Sequence, residues 1–197
     1  MAHQRLINCS LTAARLRLSS ADNVGMERRS RAGAAVGSAV FFVLAPGVVA
    51  GLIPWWLSGY RMGSGSGWLV AMRISAGGLL LGAGLVVLVR AFVRFVREGW
   101  GTPAPVAPPE VLVVGGDYRY VRNPMYVAVV ACVLGQALIL GSLALLGYAV
   151  VVWLGMAAFV RWYEEPTLRS QFGADYEEYR GAVPAWIPRI RPWRPAA

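Results

Sequence analysis

The sequence predicts an all-α integral membrane protein with about four transmembrane helices, the last two forming a C-terminal helical hairpin. Of its 197 residues, 57% are hydrophobic and only 15% are charged, a balance too apolar for an ordinary soluble domain. The hydrophobic residues are concentrated in four runs. All 19 basic residues are arginines, and most of them lie between these runs, as expected for loops and tails of a membrane protein.

The charge and the few histidines and cysteines exclude several classes of function. A net charge of +9 does not indicate nucleic-acid binding here, because no soluble module combines basic and aromatic residues. Cys9 and Cys132 are far apart, so neither a disulfide framework nor a zinc site is indicated. With His3 as the only histidine, a Ser-His-Asp triad or a His-rich metal site is not expected. We therefore expect no metal ion and no nucleic acid, and the oligomeric state stays open.

The chain begins with a basic segment followed by the first apolar run. Residues 1–32 are rich in arginine and are predicted to form a disordered extension; a transit peptide or a true start at Met26 are alternatives. The first span is predicted from about Ala34 to Leu57, long enough for a hydrocarbon core that needs ~20 residues. Pro46 and Pro54 predict a kink or a frayed end.

The second span is predicted from about Trp68 to Phe92, after a flexible Gly-Ser connector. Arg73 and Arg90 lie near its ends and must snorkel or face a partner. Small residues allow close helix packing, and this run contains four such glycines: Gly77, Gly78, Gly82 and Gly84. A proline-rich segment at 102–109 is predicted to be extended.

The third and fourth spans are predicted from about Met125 to Leu140 and from about Leu143 to Val160. Only Gly141 and Ser142 separate them, so the two helices should form a tight antiparallel hairpin. The arginine distribution places both termini on the cytoplasmic side. We expect a multi-pass protein of a bacterial plasma membrane.

The segment 115–126, Gly-Gly-Asp-Tyr-Arg-Tyr-Val-Arg-Asn-Pro-Met-Tyr, is polar and directly precedes the third span. Asn123 is a favoured N-cap residue and Pro124 suits the first helical position. Arg119, Arg122 and the tyrosines therefore meet a helix N-terminus, whose free N–H groups favour an anionic ligand. The alternative is that Arg122 snorkels and the tyrosines belong to an interfacial belt.

The fourth span continues into Arg161-Trp-Tyr-Glu-Glu-Pro. In a regular α-helix Arg161 would share one face with Glu164, Glu165 and Leu168. An ordinary charged helix end with an internal ion pair is the alternative. The tail that follows, with Trp186 and several arginines, has the composition of a segment that lies on the membrane interface and covers the site.

The Arg-Asn-Pro-Met-Tyr helix start and the Glu-Glu pair one apolar hairpin later resemble the isoprenylcysteine carboxyl methyltransferase family and its phospholipid methyltransferase relatives. The family pattern is Arg-His-Pro-x-Tyr-x-Gly, a hydrophobic stretch, then Glu-Glu. It is matched by Arg122, Pro124, Tyr126, Glu164 and Glu165. The chain departs from it at Asn123, in the histidine position, and at Ala128, in the final glycine position. The similarity covers about residues 111–190.

This resemblance implies that residues 33–197 form a membrane methyltransferase domain with a cytosolic cofactor-binding tail. It implies S-adenosylmethionine as cofactor, with these binding residues: Tyr118, Tyr120, Arg122, Asn123, Pro124, Tyr126, Glu164, Glu165 and Tyr176. Arg161 and Glu165 are the catalytic candidates. The implied partners are membrane lipids and a lipophilic or lipidated substrate with a carboxylate of prenylcysteine type or of another lipid acid. Phospholipid N-methyl or thiol S-methyl transfer, a sterol-reductase-like enzyme using NADPH, and a non-catalytic membrane protein are alternatives.

Overall fold

The computed structural model describes residues 44–99 and 111–194, and within these ranges it is all-helical with no β-strand. This confirms the predicted all-α class. The described helices are α1 (Leu44–Ser58), α2 (Gly67–Gly99), α3 (Pro124–Leu140), α4 (Leu143–Phe159) and α5 (Glu165–Ala182). A 3-10 turn, Gly116–Arg119, precedes α3, and a π-helical segment, Val160–Glu164, joins α4 to α5. The predictions for residues 1–32, for the beginning of the first span and for the proline-rich segment lie outside the described residues.

Two continuous helical segments are long and apolar enough to cross a membrane, Gly67–Phe95 and Leu143–Ala182. Only 22% and 17% of their most apolar windows are buried, whereas a core helix of a soluble protein would be covered on most sides. Two shorter apolar helices, Leu44–Ser58 and Pro124–Leu140, accompany them. The exposed apolar surface of the long segments is therefore suited to lipid.

The predicted hairpin of α3 and α4 is present with the expected turn. Gly141 has a φ of 64°, in the left-handed region that glycine adopts without a Cβ penalty. The Ser142 hydroxyl accepts a hydrogen bond from the Leu145 N–H at 3.4 Å and caps α4. A glycine C-cap followed by a serine N-cap thus stops one helix and starts the next within two residues.

Two π-helical segments interrupt the apolar helices, and each lies just before an X-Pro step. Val48–Leu52 precedes Pro54, and Val160–Glu164 precedes Pro166. In both cases the residue before the proline donates its N–H to a carbonyl five positions back instead of four. A proline has no N–H and its ring crowds the carbonyl four residues earlier, so the preceding turn widens by one residue.

The widened turn of α1 is bound by side chains from the hairpin. The Tyr148 hydroxyl donates to the Val49 carbonyl at 2.9 Å, and the Gln136 side-chain amide donates to the Ala50 carbonyl at 2.7 Å. A buried carbonyl without a partner costs about 1–3 kcal/mol. The helix defect predicted from Pro54 therefore attaches α1 to both α3 and α4.

Helices α2 and α3 are in close contact through glycines. A Cβ placed on Gly135 would lie 2.8 Å from the Gly77 carbonyl oxygen, and one on Gly84 would lie 2.9 Å from the Cys132 sulfur. The predicted close packing is confirmed for Gly77 and Gly84, because only a residue without a side chain leaves room for the second backbone.

The same prediction was wrong for Gly78 and Gly82, around which a Cβ would meet nothing within 4 Å. Successive helical residues are rotated by about 100°, so Gly78, one position after Gly77, and Gly82, two positions before Gly84, face away from α3. They supply matched controls for the packing at Gly135.

Gly135→Ala is expected to lower the free energy of unfolding by about 1–3 kcal/mol, because the new methyl group overlaps backbone atoms that cannot move independently. Gly78→Ala adds the same methyl group in open space and should change stability little. Thermal unfolding of the two purified variants in detergent measures the difference. Equal stability of the two variants would show that α2 and α3 do not pack at this distance.

Arg73 and Arg90, the two arginines near the ends of the predicted second span, face partners rather than lipid alone. Arg73 donates to the Gly63 carbonyl at 3.1 Å, and the Gly63 N–H donates to the Leu140 carbonyl at 2.7 Å. At the other end, Arg90 lies 3.2 Å from the Asp117 carboxylate. The Gly-Ser connector predicted to be flexible is thus tied to the end of α3, and the 3-10 turn is tied to α2.

Candidate functional site

The start of α3, the α4–α5 junction and the C-terminal segment 183–193, which we call the C-terminal strap, meet at one end of the helices. The strap runs beside the segment that leads into α3. Three backbone hydrogen bonds, each 2.9 Å long, hold it there: Arg122 N–H to Pro184 O, Arg189 N–H to Tyr120 O, and Trp193 N–H to Arg119 O. The predicted covering of this region by the tail therefore rests on main-chain pairing.

Asn123 occupies the predicted N-cap position of α3, and Pro124 follows in the first turn. The Asn123 side chain, however, makes no capping hydrogen bond; its amide donates instead to the Ala185 carbonyl of the strap at 3.1 Å. Within residues 44–99 and 111–194, no side chain thus caps the N–H groups of the first turn of α3. Such N–H groups, with the positive end of the helix dipole, are suited to an anionic group of a ligand.

Arg122 lies at the centre of a buried polar cluster, which we call the Arg122 cluster. Its Nη1 donates to the Glu165 carboxylate at 2.9 Å and to the Tyr176 hydroxyl at 3.0 Å, and its Nε donates to the Val183 carbonyl at 3.0 Å. The Arg122 and Glu165 side chains are only 11% and 8% exposed. Arg180 lies 3.7 Å from the second Glu165 oxygen. The charge of Glu165 is therefore compensated within the protein.

Glu164, the neighbouring carboxylate, has a different environment. Its Oε2 accepts a hydrogen bond from the Tyr126 hydroxyl at 3.1 Å, and its side chain is partly buried. Within the described ranges no arginine forms an ion pair with it; Arg122 acts on it electrostatically but bonds to Glu165. A partly buried carboxylate without an ion pair is a favourable position for a cation.

Tyr118 is buried against α2 beside this carboxylate. Its side chain packs with Ala91 and Phe95 and is 7% exposed. Its backbone carbonyl accepts from the Tyr179 hydroxyl at 2.7 Å, but its own hydroxyl has no partner among the described residues. Burial, followed by the negative charge of Glu164, raises the pKa of Tyr118 well above its usual value. The hydroxyl therefore stays protonated and keeps a hydrogen-bond donor that no described residue uses.

Two tryptophans form an aromatic wall beside Tyr126. The ring centroid of Trp186, on the strap, is 6.5 Å from that of Tyr126 and 6.0 Å from that of Trp153 on α4. Sequence reasoning placed Trp186 in the tail but missed Trp153. The available signal was a tryptophan in the middle of an apolar run, away from the ends where interfacial aromatic belts occur.

Arg161 and Tyr120 stand apart from these groups. Regular α-helical spacing predicted that Arg161 shares a face with both glutamates, but Val160–Glu164 is π-helical and the spacing changes. Arg161 is exposed and Glu165 is buried. Tyr120 is 37% exposed and is held through its backbone. The catalytic role of Arg161 stays a prediction.

The site therefore brings four kinds of group together around the start of α3. These are a carboxylate without an ion pair, uncapped helix N–H groups, a phenol with a free donor, and aromatic rings. Together they suit a ligand that carries both a positive and a negative charge and has an aromatic part. Among the described residues no group of three or more His, Cys, Asp or Glu side chains is placed to hold a metal ion.

Comparison with known sequences agrees with this composition. A sequence model described as "Phospholipid methyltransferase" matches residues 72–175. The chain is 40% identical over 81 residues to a protein-S-isoprenylcysteine O-methyltransferase of Schizosaccharomyces pombe, which covers 41% of this chain and 34% of that protein. It is 26% identical over 137 residues to protein-S-isoprenylcysteine O-methyltransferase A of Arabidopsis thaliana, which covers 69% of this chain and 61% of that protein.

A solved structure of a eukaryotic intramembrane Ras methyltransferase, isoprenylcysteine carboxyl methyltransferase, has a similar fold. The TM-score is 0.50 at 21% sequence identity, over 79% of this chain and 54% of that one. The chain thus spans between about a third and three fifths of the length of these relatives.

Proposed function

Because the chain belongs to the phospholipid methyltransferase family, we propose that it transfers a methyl group from S-adenosylmethionine to a lipophilic acceptor at a membrane. The proposed acceptor is a carboxylate of prenylcysteine type or of another lipid acid, since two curated relatives carry the name protein-S-isoprenylcysteine O-methyltransferase. N-methylation of a phospholipid amine is the second candidate, which the description of the matching family favours.

The observation that carries this proposal is the contrast between the two adjacent glutamates. Glu165 is neutralised by Arg122 and Arg180, whereas among the described residues the side chain of Glu164 is bonded by the Tyr126 hydroxyl alone. An anionic group held in a partly buried place without an ion pair gains most from a cationic ligand. S-adenosylmethionine carries a sulfonium and an ammonium group, and either of them fits Glu164.

The other groups of the site fit the remaining parts of this cofactor. We assign its carboxylate to the backbone N–H groups of Met125 and Tyr126 in the first turn of α3, where no side chain of the described residues caps the helix. The unpartnered Tyr118 hydroxyl donates to the same carboxylate or to the ribose. The rings of Tyr126 and Trp186 provide faces for the adenine or the sulfonium.

The remaining predicted site residues lie around these groups. Arg122, Glu165 and Tyr176 support the site from inside through the Arg122 cluster, and Tyr120 is partly exposed outside it. We propose that the exposed Arg161 orients an anionic acceptor as it approaches. A direct catalytic role of Glu165 stays a prediction from the motif.

The proposed reaction requires little acid–base catalysis by the protein. When bound, S-adenosylmethionine supplies a methyl group that a carboxylate oxygen attacks, so that a C–O bond forms, the C–S bond breaks and a neutral thioether leaves. A carboxylate acceptor has no proton to lose, and no strong base is needed. The chain's own residues bind, align and exclude water, which are the main sources of rate in an in-line transfer.

We further propose a membrane arrangement of four spans with both termini and the site on the cytoplasmic side. The two long apolar segments and the two shorter helices α1 and α3 supply the spans, and the arginine-rich segments flank their cytoplasmic ends. Reporter fusions at Gly65 and at the C-terminus test this arrangement. An externally located C-terminus would contradict it.

The test of the function is to titrate the purified protein with S-adenosylmethionine and NADPH, and then to incubate membranes with radiolabelled S-adenosylmethionine. Binding of S-adenosylmethionine and label in a base-labile methyl ester of a lipophilic compound supports the proposal. Base-stable label in a phospholipid headgroup favours the second candidate. Binding of NADPH alone would indicate a reductase, and binding of neither compound would overturn the methyltransferase proposal.

A further inference from the structure

Arg122 uses its Nε, its Nη1 and its backbone N–H on the protein itself. Its guanidinium contacts Glu165, Tyr176 and the Val183 carbonyl, and its backbone N–H donates to the Pro184 carbonyl. These contacts join the start of α3 to α5 and to the strap. The side chain is only 11% exposed, and its guanidinium holds these three segments together.

The strap connects the contacts of Arg122 to the proposed ligand site. Directly after the two residues bound by Arg122, the Ala185 carbonyl accepts from Asn123, and the next residue is Trp186. Its ring lies against those of Tyr126 and Trp153. The hydroxyl of Tyr126 in turn donates to Glu164. These contacts thus form a continuous connection from Arg122 to Glu164.

We propose that Arg122 is a positioning residue that sets the place of Trp186 against Tyr126 through the C-terminal strap and does not contact the ligand. This inference rests on the proposed function for the identity of the ligand, but the link between Arg122 and the strap does not depend on it. The alternative is a direct contact between the guanidinium and an anionic group of the ligand.

The charges favour the positioning role. Arg122 bonds to Glu165, whose second oxygen lies 3.7 Å from Arg180, so its guanidinium is already paired with a carboxylate. A ligand anion would have to compete with that carboxylate, whereas the uncapped N–H groups at the start of α3 offer it a position without competition. The guanidinium fork also matches its three acceptors in a way that a lysine ammonium does not.

The first experiment measures release of the strap by trypsin. The bond Arg189–Ile190 lies in the strap, and the Arg189 N–H and guanidinium are both hydrogen-bonded. Arg122→Lys keeps the positive charge but cannot reach all three acceptors, and it should make cleavage of this bond about tenfold faster, as followed by mass spectrometry. Arg180→Lys is the matched control, because Arg180 contacts Glu165 and Glu177 and no described strap residue. It should leave the rate near that of the wild type.

The second experiment measures affinity for S-adenosylmethionine in Arg122→Lys, Trp186→Ala and the double variant. If Arg122 acts through Trp186, each single change weakens binding about tenfold and the double change is no weaker than the stronger single change. Additive losses of about a hundredfold, or an unchanged cleavage rate in Arg122→Lys, would overturn the positioning role. Lack of binding by the wild type would overturn the proposed function instead, while the cleavage rates would still decide the role of Arg122.

Discussion

Glu164→Gln is expected to weaken binding of S-adenosylmethionine by roughly ten- to hundred-fold. A hydrogen bond or ion contact to a charged group in a partly desolvated place is worth about 1.5–3 kcal/mol, and the amide keeps the shape but loses the charge. The glutamine side chain can still accept a hydrogen bond from the Tyr126 hydroxyl. The substitution also removes a carboxylate that has no ion pair among the described residues. The free energy of unfolding should therefore stay the same or rise. Calorimetric titration and thermal unfolding measure the two quantities.

Glu178→Gln is the matched control for this prediction. Glu178 lies on α5 and is exposed, so the same loss of one charge should leave the affinity nearly unchanged. If Glu164→Gln loses affinity for S-adenosylmethionine and Glu178→Gln does not, the cationic group of the cofactor binds at Glu164. Equal affinities in the wild type and both variants would mean that the carboxylate beside Tyr126 is not the cofactor site.

Glu165→Ala is expected to lower the free energy of unfolding by about 3–5 kcal/mol, because it removes one partner of a buried ion pair and leaves Arg122 uncompensated. The tyrosine and carbonyl partners of Arg122 remain, but neither carries a charge. Thermal unfolding in detergent measures the loss. Glu177→Ala is the control: its side chain is 50% exposed and lies 2.7 Å from Arg169, and an exposed pair is worth only about 0–1 kcal/mol.

The comparison of Glu165→Ala with the wild type also separates two roles for this glutamate. The motif alone predicts a ligand contact or a catalytic group, for which stability would stay near that of the wild type while affinity falls. The structure leads us to expect a lower free energy of unfolding for Glu165→Ala. A fully stable Glu165→Ala variant with poor cofactor affinity would contradict the Arg122 cluster as described and would support the motif prediction.

Local features of the chain could be predicted because their causes are local. The hairpin of α3 and α4 was predicted within about one residue at each end, since a glycine C-cap and a serine N-cap act over a single turn. Pro124 and Asn123 marked the start of α3 correctly. Apolar length alone predicted the long helical segments, although α2 continues to Gly99, beyond the predicted end at Phe92.

Partners of individual side chains could not be predicted in the same way. Asn123 was expected to cap its helix, but the strap offers the Ala185 carbonyl as an acceptor. Four glycines of α2 were equivalent in sequence, and only the crossing with α3 showed that Gly77 and Gly84 are in contact while Gly78 and Gly82 are not.

The all-α class, the apolar helices, the hairpin and the methyltransferase motif could be predicted, because each depends on residue type and on the spacing of a few positions. The different environments of Glu164 and Glu165 follow from the three-dimensional packing instead. The widened turn before Pro166 changes the spacing that α-helical periodicity assumes. Arg122 bonds to Glu165, 43 positions away in sequence, and to Val183, 61 positions away. Rules of helix and turn formation act over a few residues and cannot predict contacts at that separation.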